Sequence, residues 1–221
     1  MDKALLPNAQ SWNHYWGLDQ TEKFTQISWS KRRIIRILEK YVIKHYHALD
    51  AGCGSGFFAQ YFCQMGMKTA ALDYSDKALE IAKAKTRGQA KIFKKDLLSL
   101  SLPEEIEERF DFIFSDGLLE HFPRTDQDKI FRNFYSLLTD NGVLITFVPN
   151  RFSPWELIRP FYMPGIEEKP FILRELIHLN QRNGFTIIEK GGLNTVPWAF
   201  SPDKVFGPTF GMLLFTISKK K

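Results

Sequence analysis

The sequence predicts an α/β fold, a doubly wound parallel sheet between two layers of helices, on three observations. Short strand-like runs alternate with amphipathic helical stretches along most of the chain. Three spaced glycines, Gly52, Gly54 and Gly56, separate the first strand from the helix that follows it, and acids stand at the ends of the next strands. Strands joined through helices run parallel, with right-handed crossovers that cover both faces of the sheet.

Between Ile27 and Tyr41, the residues Ile34, Ile35 and Leu38, with Val42 just beyond, recur at helical spacing opposite Lys31, Arg32, Arg36 and Lys40, which predicts an amphipathic helix. Residues 46–50 read as a first strand, and Phe57 to Met65 resumes an apolar helical pattern after the glycines. The unit then repeats. Residues 69–73 are strand-like, Ser75 is an N-cap, and Lys77 to Thr86 is a good helix former stopped by Gly88. Residues 91–96 make a third strand; Pro103-Glu104-Glu105 interrupts the chain before a fourth at 110–115. Asp126 to Leu138 is amphipathic and closed by Asp140-Asn141-Gly142, and the continuous apolar run 143–148 is a buried fifth strand. From Arg151 to Ile172 four prolines and several aromatics break the rhythm, which predicts an insertion over the top of the sheet. A helix at 171–181, a strand at 185–189 and a last strand at 212–217 complete the chain.

At 221 residues, 44% of them hydrophobic, the chain can close one sizeable core and is short for two. It contains no uninterrupted apolar run of about 18 residues, and Met1-Asp2-Lys3 lacks a secretory layout. Its two cysteines, Cys53 and Cys63, suit a reducing compartment, because a disulfide at Cys53 would distort the glycine run. A cytoplasmic protein with no membrane span is expected. Of the net charge of +5, Lys219, Lys220 and Lys221 supply three, so charge argues little for a nucleic-acid partner. The basic stretch Lys83, Lys85, Arg87, Lys91, Lys94 and Lys95 is flanked by acids and reads as a solvated face.

Ligands of open α/β sheets bind at the carboxyl ends of the strands, where the winding reverses. Glycine there permits positive φ and lets the backbone approach a nucleoside. Phe57 follows Gly56 directly, whereas a dinucleotide fingerprint places its third glycine one position later, so a pyrophosphate ligand and a nicotinamide-dependent oxidoreductase are disfavoured. Asp73 ends the second strand 21 residues after Gly52, where a carboxylate can accept both hydroxyls of a ribose.

With these residues in place, the run Leu49-Asp50-Ala51-Gly52-Cys53-Gly54-Ser55-Gly56 resembles the first motif of class I S-adenosylmethionine-dependent methyltransferases, and the likeness extends from about Tyr46 to Asn150. The resemblance implies a Rossmann-like seven-stranded sheet with the last strand antiparallel, in three α/β/α layers. It also implies that Asp50 and the glycines Gly52, Gly54 and Gly56 surround the methionine portion of the cofactor, S-adenosylmethionine, whose product is S-adenosylhomocysteine, and that Ala51 and Cys53 of the same run belong to the cofactor site. Asp73 would hold the ribose and Tyr74 would pack near the adenine. Asp96 with Leu97 matches the motif whose acid accepts from the adenine amino group, and Ser115, Asp116 and Gly117 match the fourth-strand segment along the methionine chain. The expected organisation is one domain, 1–221, with an N-terminal helical segment (1–44), a cofactor-binding core (45–150), a lid insertion and helix (151–183) and C-terminal strands (184–221).

Methyl transfer from a sulfonium is an in-line displacement, so alignment in a dry site matters most and no nucleophilic side chain is needed. His121, in Leu119-Glu120-His121, is the candidate general base, with Glu120 behind it; a packing or capping role at the start of a helix is the alternative. His45 and His47 would share one side of a strand, but without Cys, Asp or Glu partners at suitable spacing no metal is expected. Ser115-Asp116-Gly117-Leu118 is neither the Asn/Asp-Pro-Pro-aromatic motif of amino-methylating enzymes nor accompanied by a Pro-Cys pair, which turns expectation from nucleic acid to a small-molecule acceptor. Tyr15, Trp16, Trp155, Phe161 and Tyr162 are candidate lid residues over that acceptor, the alternative being an ordinary aromatic core. A non-catalytic binding or regulatory protein with the same pocket, or a methyltransferase acting on a macromolecule, remains open at this point.

Overall fold

The computed structural model describes residues 8–162 and 168–221. Seven strands form one sheet: β1 (His47–Ala51), β2 (Lys68–Asp73), β3 (Lys91–Lys94), β4 (Phe110–Asp116), β5 (Leu138–Pro149), β6 (Phe185–Leu193) and β7 (Leu213–Lys220), in the spatial order β3-β2-β1-β4-β5-β7-β6. Parallel pairing joins β1 to β2 and β4, β2 to β3 and β4 to β5, while β7 runs antiparallel to both β5 and β6. The winding therefore reverses between β1 and β4, and a crevice is expected above their carboxyl ends.

The helices are α1 (Ala9–Trp16), α2 (Trp29–Leu38), α3 (Phe57–Gln64), α4 (Asp76–Lys85), α5 (Leu102–Ile106), α6 (Arg124–Leu137), α7 (Trp155–Tyr162), α8 (Leu173–Arg182) and α9 (Asp203–Phe210). Strand alternation sorts the core into two layers. Phe112 and Phe114 of β4 meet Ile34 and Leu38 of α2 and Phe58 and Phe62 of α3 on one face. On the other face Ile113 packs with Phe131, Phe134 and Leu137 of α6 and Leu176 of α8. Full burial of a Leu or Phe side chain contributes about 1.5–3 kcal/mol, against about 0–1 kcal/mol for an exposed ion pair. The two apolar layers, and not surface pairs such as Lys94 with Asp76 at 2.7 Å, hold the sheet.

Several predicted elements shift for identifiable reasons. The helix expected to run to Leu138 ends at Leu137, and Asp140-Asn141-Gly142, read as its stop, lies inside β5. The pairing jumps from Phe110 with Leu138 to Phe112 with Val143, so residues 139–142 stand opposite Asp111 alone. Asp111 holds this irregularity through Thr139 Oγ1, which donates at 3.1 Å, and the His47 amide, which donates at 3.0 Å. His45 does not share a strand face with His47: its φ of +71° and its amide bond to the Gly66 carbonyl place it in the turn before β1. His121 ends a one-turn 3-10 helix, Leu119–His121, instead of opening a long helix; α6 begins after Pro123, and Gln127 Nε2 donates to the Leu119 and Phe122 carbonyls. Pro103, taken as a break, sits in the first turn of α5, where its missing N–H costs nothing.

The sequence pattern does not predict α5, α7 or α9. In α9, Gly207 packs backbone to backbone on Gly192 of β6, where a Cβ at Gly192 would fall 1.9 Å from the Gly207 carbonyl oxygen. That closeness carries no periodic signal. Cys53 and Cys63 are both free, with Cys53 buried. No helix among the described residues is long and apolar enough to cross a membrane.

Candidate active site

A cavity of about 850 Å³ opens above the carboxyl ends of β1 and β4, within the size range of small-molecule sites. Its floor is the loop after β1. Gly52, Gly54 and Gly56 all adopt left-handed φ, at +72°, +47° and +66°. The Gly52 and Cys53 amides donate to the Leu72 carbonyl at 2.8 and 3.0 Å, which pins the loop to β2. The close approaches show why glycine is required: a Cβ at Gly52 would stand 2.9 Å from the Leu118 side chain, and one at Gly54 would stand 2.4 Å from the Trp16 ring. A cavity wall runs on each side of the bare backbone.

Asp73, at the tip of β2, is buried and faces this loop. One carboxylate oxygen accepts from the Gly54 amide at 3.0 Å and the other from the Ser75 amide at 3.0 Å, so its orientation is fixed before any ligand arrives. Burial raises its pKa while these amides oppose the rise. Tyr74 lines the same end, its phenol raised by burial and by Asp73 and Asp96. Asp96 and Leu97 follow β3 into the wall; Asn133 of α6 steadies their loop by donating to the Leu97 and Ser99 carbonyls, each at 2.8 Å.

Asp50 accepts from the Ala59 amide at 2.9 Å, and burial together with Asp116 and Asp73 pushes its pKa up to about 8 despite that bond. Burial likewise moves Asp116 to about 6, opposed by Lys31. Lys31 of α2 lies on the wall under the face of Phe57, 4.0 Å from the ring centroid, and donates to the Phe24 carbonyl and, at 2.8 Å, to that of Gln26. Burial lowers it to about 8, with Asp116 raising and Lys85 lowering. A compact constellation results, of two carboxylates and one amine, whose charges respond to what is bound.

Most predicted cofactor residues line one cavity: Asp50, Gly52, Cys53, Gly54, Asp73, Tyr74, Asp96, Leu97, Asp116 and Gly117. Ala51, Gly56 and Ser115 are absent from its wall. Ala51 and Ser115 point away because successive strand residues face opposite sides, and the Ser115 hydroxyl is buried with no hydrogen-bond partner among the described residues. Gly56 serves packing: a Cβ there would lie 2.6 Å from the Ala82 Cα of α4.

The far end of the cavity is built from side chains of distant segments. Of the candidate lid residues, Tyr15 of α1 and Trp155 of α7 line the cavity, as does Trp16, which lies against Gly54. Phe161 does not, being 85% exposed. The side chain of Tyr162 lies outside the described residues. His121 meets Trp12 edge to face at 4.9 Å. Glu120 is 3% exposed, and its Oε2 has no hydrogen-bond partner among the described residues. The Glu120 carbonyl accepts from the Lys169 amide at 2.9 Å, which lays the segment after the insertion onto the 3-10 turn and delivers Glu168 to it. Potential donor atoms of Glu120, His121 and Glu168 then lie within 4.8 Å of one another, a grouping for which the spacing of the histidines gave no signal. Lys31, Ser55 and Glu168 are wall residues that the motif reading also missed. Lys31 and Glu168 reach the wall from segments remote in sequence from the glycine run, and neither had a readable signal.

A doubly wound sheet with a nucleoside-sized crevice at its switch point, floored by glycines and faced by a strand-end carboxylate, defines a class of nucleotide- and nucleoside-binding proteins. Residues 49–146 match the family model described as a methyltransferase domain. The ubiquinone biosynthesis O-methyltransferase of Coxiella burnetii is 27% identical over 119 residues, 54% of this chain and 50% of that protein, so the chain spans about half the length of the curated relatives it matches. Among solved structures, an S-adenosylmethionine-dependent methyltransferase from Anabaena variabilis shares the fold with a TM-score of 0.70 at 19% identity, covering 100% of this chain and 98% of that one. The N-methyltransferase NodS of Bradyrhizobium japonicum, solved with S-adenosylhomocysteine, does so with a TM-score of 0.68 at 16% identity over 97% and 99%. Over residues 49–146 the chain thus matches the methyltransferase domain family, and these comparisons support a class I S-adenosylmethionine-dependent methyltransferase.

Proposed function

We propose that this protein transfers a methyl group from S-adenosylmethionine to a small-molecule acceptor, as one domain (1–221) working in the cytoplasm. The observation that carries the reading is the pairing of the Gly52–Gly54 backbone with the prefixed carboxylate of Asp73 on one cavity wall. The residues suit each part of the cofactor. Asp73 accepts from ribose hydroxyls, Tyr74 and Leu97 flank the adenine with Asp96 at its amino group, and the glycine loop lies against the methionine chain. Lys31 answers the carboxylate, and Asp50 and Asp116 answer the cationic centres.

Bound S-adenosylmethionine supplies an electrophilic methyl on a sulfonium. The protein's part is alignment and dryness: Trp16 on Gly54 and Tyr15 beside it shut water from the loop, and the far end of the cavity holds the acceptor in line. The acceptor's lone pair forms the bond to the methyl carbon as the carbon–sulfur bond breaks, sulfur keeps the electron pair, and a proton passes from the acceptor to His121 or Glu120. Two unpaired cysteines and the absence of a membrane-spanning helix among the described residues support the cytoplasmic assignment. Paired surface lysines at Lys91, Lys94 and Lys95 give no support to a nucleic-acid substrate.

Titration calorimetry with S-adenosylmethionine, S-adenosylhomocysteine and a nicotinamide dinucleotide tests the cofactor; binding of the dinucleotide alone overturns the reading. Release of S-adenosylhomocysteine over a metabolite collection tests catalysis, and tight binding with no turnover on any acceptor would make the protein a binding module.

A further inference from the structure

The charge of the cavity's far end restricts what can be methylated there. Three carboxylates converge on it. Glu120 and Glu168 line the wall, and Glu156 of α7 stands behind them. One guanidinium, Arg159, bridges Glu156 at 3.2 Å and Glu168 at 3.4 Å. That arrangement leaves the Glu120 Oε2 and the Glu156 Oε1 buried and without hydrogen-bond partners among the described residues. A buried carboxylate oxygen is costly to strip of water unless a cation or donor meets it, so these oxygens are suited to a cationic, hydrogen-bonding ligand. Burial, then repulsion from Glu168, Asp116 and Glu156, raises Glu120 well above the carboxylate range, and burial moves Glu168 to about 7 against the pull of Arg159.

The surroundings indicate the kind of cation. Trp12 meets His121 edge to face at 4.9 Å and Tyr15 at 5.5 Å, Tyr15 feels the charge of Glu168, and Trp155 lines the same cavity. Aromatic faces around carboxylates bind organic ammonium groups, through cation–π attraction on the rings and charge-assisted hydrogen bonds to the acids. A phenolate or carboxylate acceptor would set a further negative charge against Glu120 and Glu168. The position is also right for chemistry: a Cβ at Gly117, in the segment that follows β4 along the methionine site, would lie 3.6 Å from the Glu120 Oε1.

Resting on the methyltransferase reading above, we propose that the acceptor is an amine carried on an apolar or aromatic body, bound as its ammonium ion between Glu120 and Glu168 within the Trp12, Tyr15 and Trp155 rings. The ammonium gives one proton to a glutamate, and the free amine's lone pair attacks the methyl carbon. The carbon–sulfur bond breaks onto sulfur, and the product leaves as the N-methylammonium ion. The glutamate returns its proton to solvent, so one proton is released per turnover.

The test uses the full chain saturated with S-adenosylhomocysteine, titrated with benzylamine and benzyltrimethylammonium as cationic probes, and with benzyl alcohol, phenol and benzoate as neutral and anionic ones. The cations should bind at least tenfold tighter than benzyl alcohol or phenol, with benzoate undetectable. Glu120→Gln and Glu168→Gln should each weaken the cations by tenfold or more and leave S-adenosylhomocysteine affinity within twofold, which also shows that the variants fold. Preference for phenol or benzoate overturns the proposal, as does cation affinity unchanged in both variants. So does a stoichiometric divalent metal found by elemental analysis on Glu120, His121 and Glu168 whose removal by chelator abolishes methylation. Failure of S-adenosylhomocysteine to bind removes the cofactor reading itself, whereas cofactor binding without ammonium preference removes this proposal alone.

Discussion

The two ends of the cavity are made differently. At the cofactor end the floor is backbone, held by strand ends, and its carboxylates are engaged before any ligand arrives: Asp73 takes the Gly54 and Ser75 amides and Asp50 takes that of Ala59. At the far end the wall is side chains from α1, a 3-10 turn and the stretch around α7, and its carboxylates include oxygens with no hydrogen-bond partner among the described residues. The first end is prepared for one ligand by local geometry. The second is left electrostatically open, so specificity there depends on what completes it.

Breaking the cofactor end at its packing should have the largest effect. Gly56→Ala puts a Cβ 2.6 Å from Ala82 at a left-handed φ, and overpacking plus backbone strain should cost about 2–4 kcal/mol of stability, read by urea unfolding. Asp73→Ala keeps the fold and removes charge-assisted bonds to the ribose; calorimetry should show S-adenosylmethionine affinity weakened by about 1–3 kcal/mol, and an unchanged affinity would count heavily against the site.

Acidity sharpens the contrast further. Asp50 at about 8 and Asp116 at about 6 are raised in the free protein, and a cationic ligand favours their ionised forms. Binding therefore releases protons below these values. Affinity should fall as pH drops through 8 and then 6, by up to about tenfold per pH unit for each coupled proton. Above about 8 it should decline again as Lys31 loses its charge. Calorimetry across pH 5–9, with Asp50→Asn as the flattened control, checks the sign. The smallest effect belongs to the roof. Asn13→Ala cuts the bonds from α1 to Ser75 and the Lys77 amide and should cost about 1 kcal/mol or less, seen as faster cofactor release in stopped flow.

The same division explains what could be read in the sequence. The strands and the glycine loop declare themselves through short-range patterns, since β1, Gly52, Gly54 and Asp73 are spaced by local geometry alone. Two motif residues, Ala51 and Ser115, do not line the cavity, because strand alternation, which a motif match does not see, turns their side chains to the opposite face. Gly56 matched for a packing reason. The acceptor end was legible only as an excess of aromatics. Glu168 reaches Glu120 through a backbone bond across 49 positions of sequence, and α9 docks through a glycine pair that has no periodicity. Neither leaves a mark in a window of neighbouring residues.

Ser75 accepts the Ala78 amide on its hydroxyl at 3.2 Å, donates that hydroxyl to Asn13 at 2.7 Å, and gives its own amide to Asp73 at 3.0 Å. One small side chain thus joins the cap of α4, helix α1 and the Asp73 carboxylate. Thermodynamic reciprocity gives this junction a consequence: whatever help the first ligand lends the second by settling α1 must be repaid in equal measure, so occupancy of either half raises retention in the other.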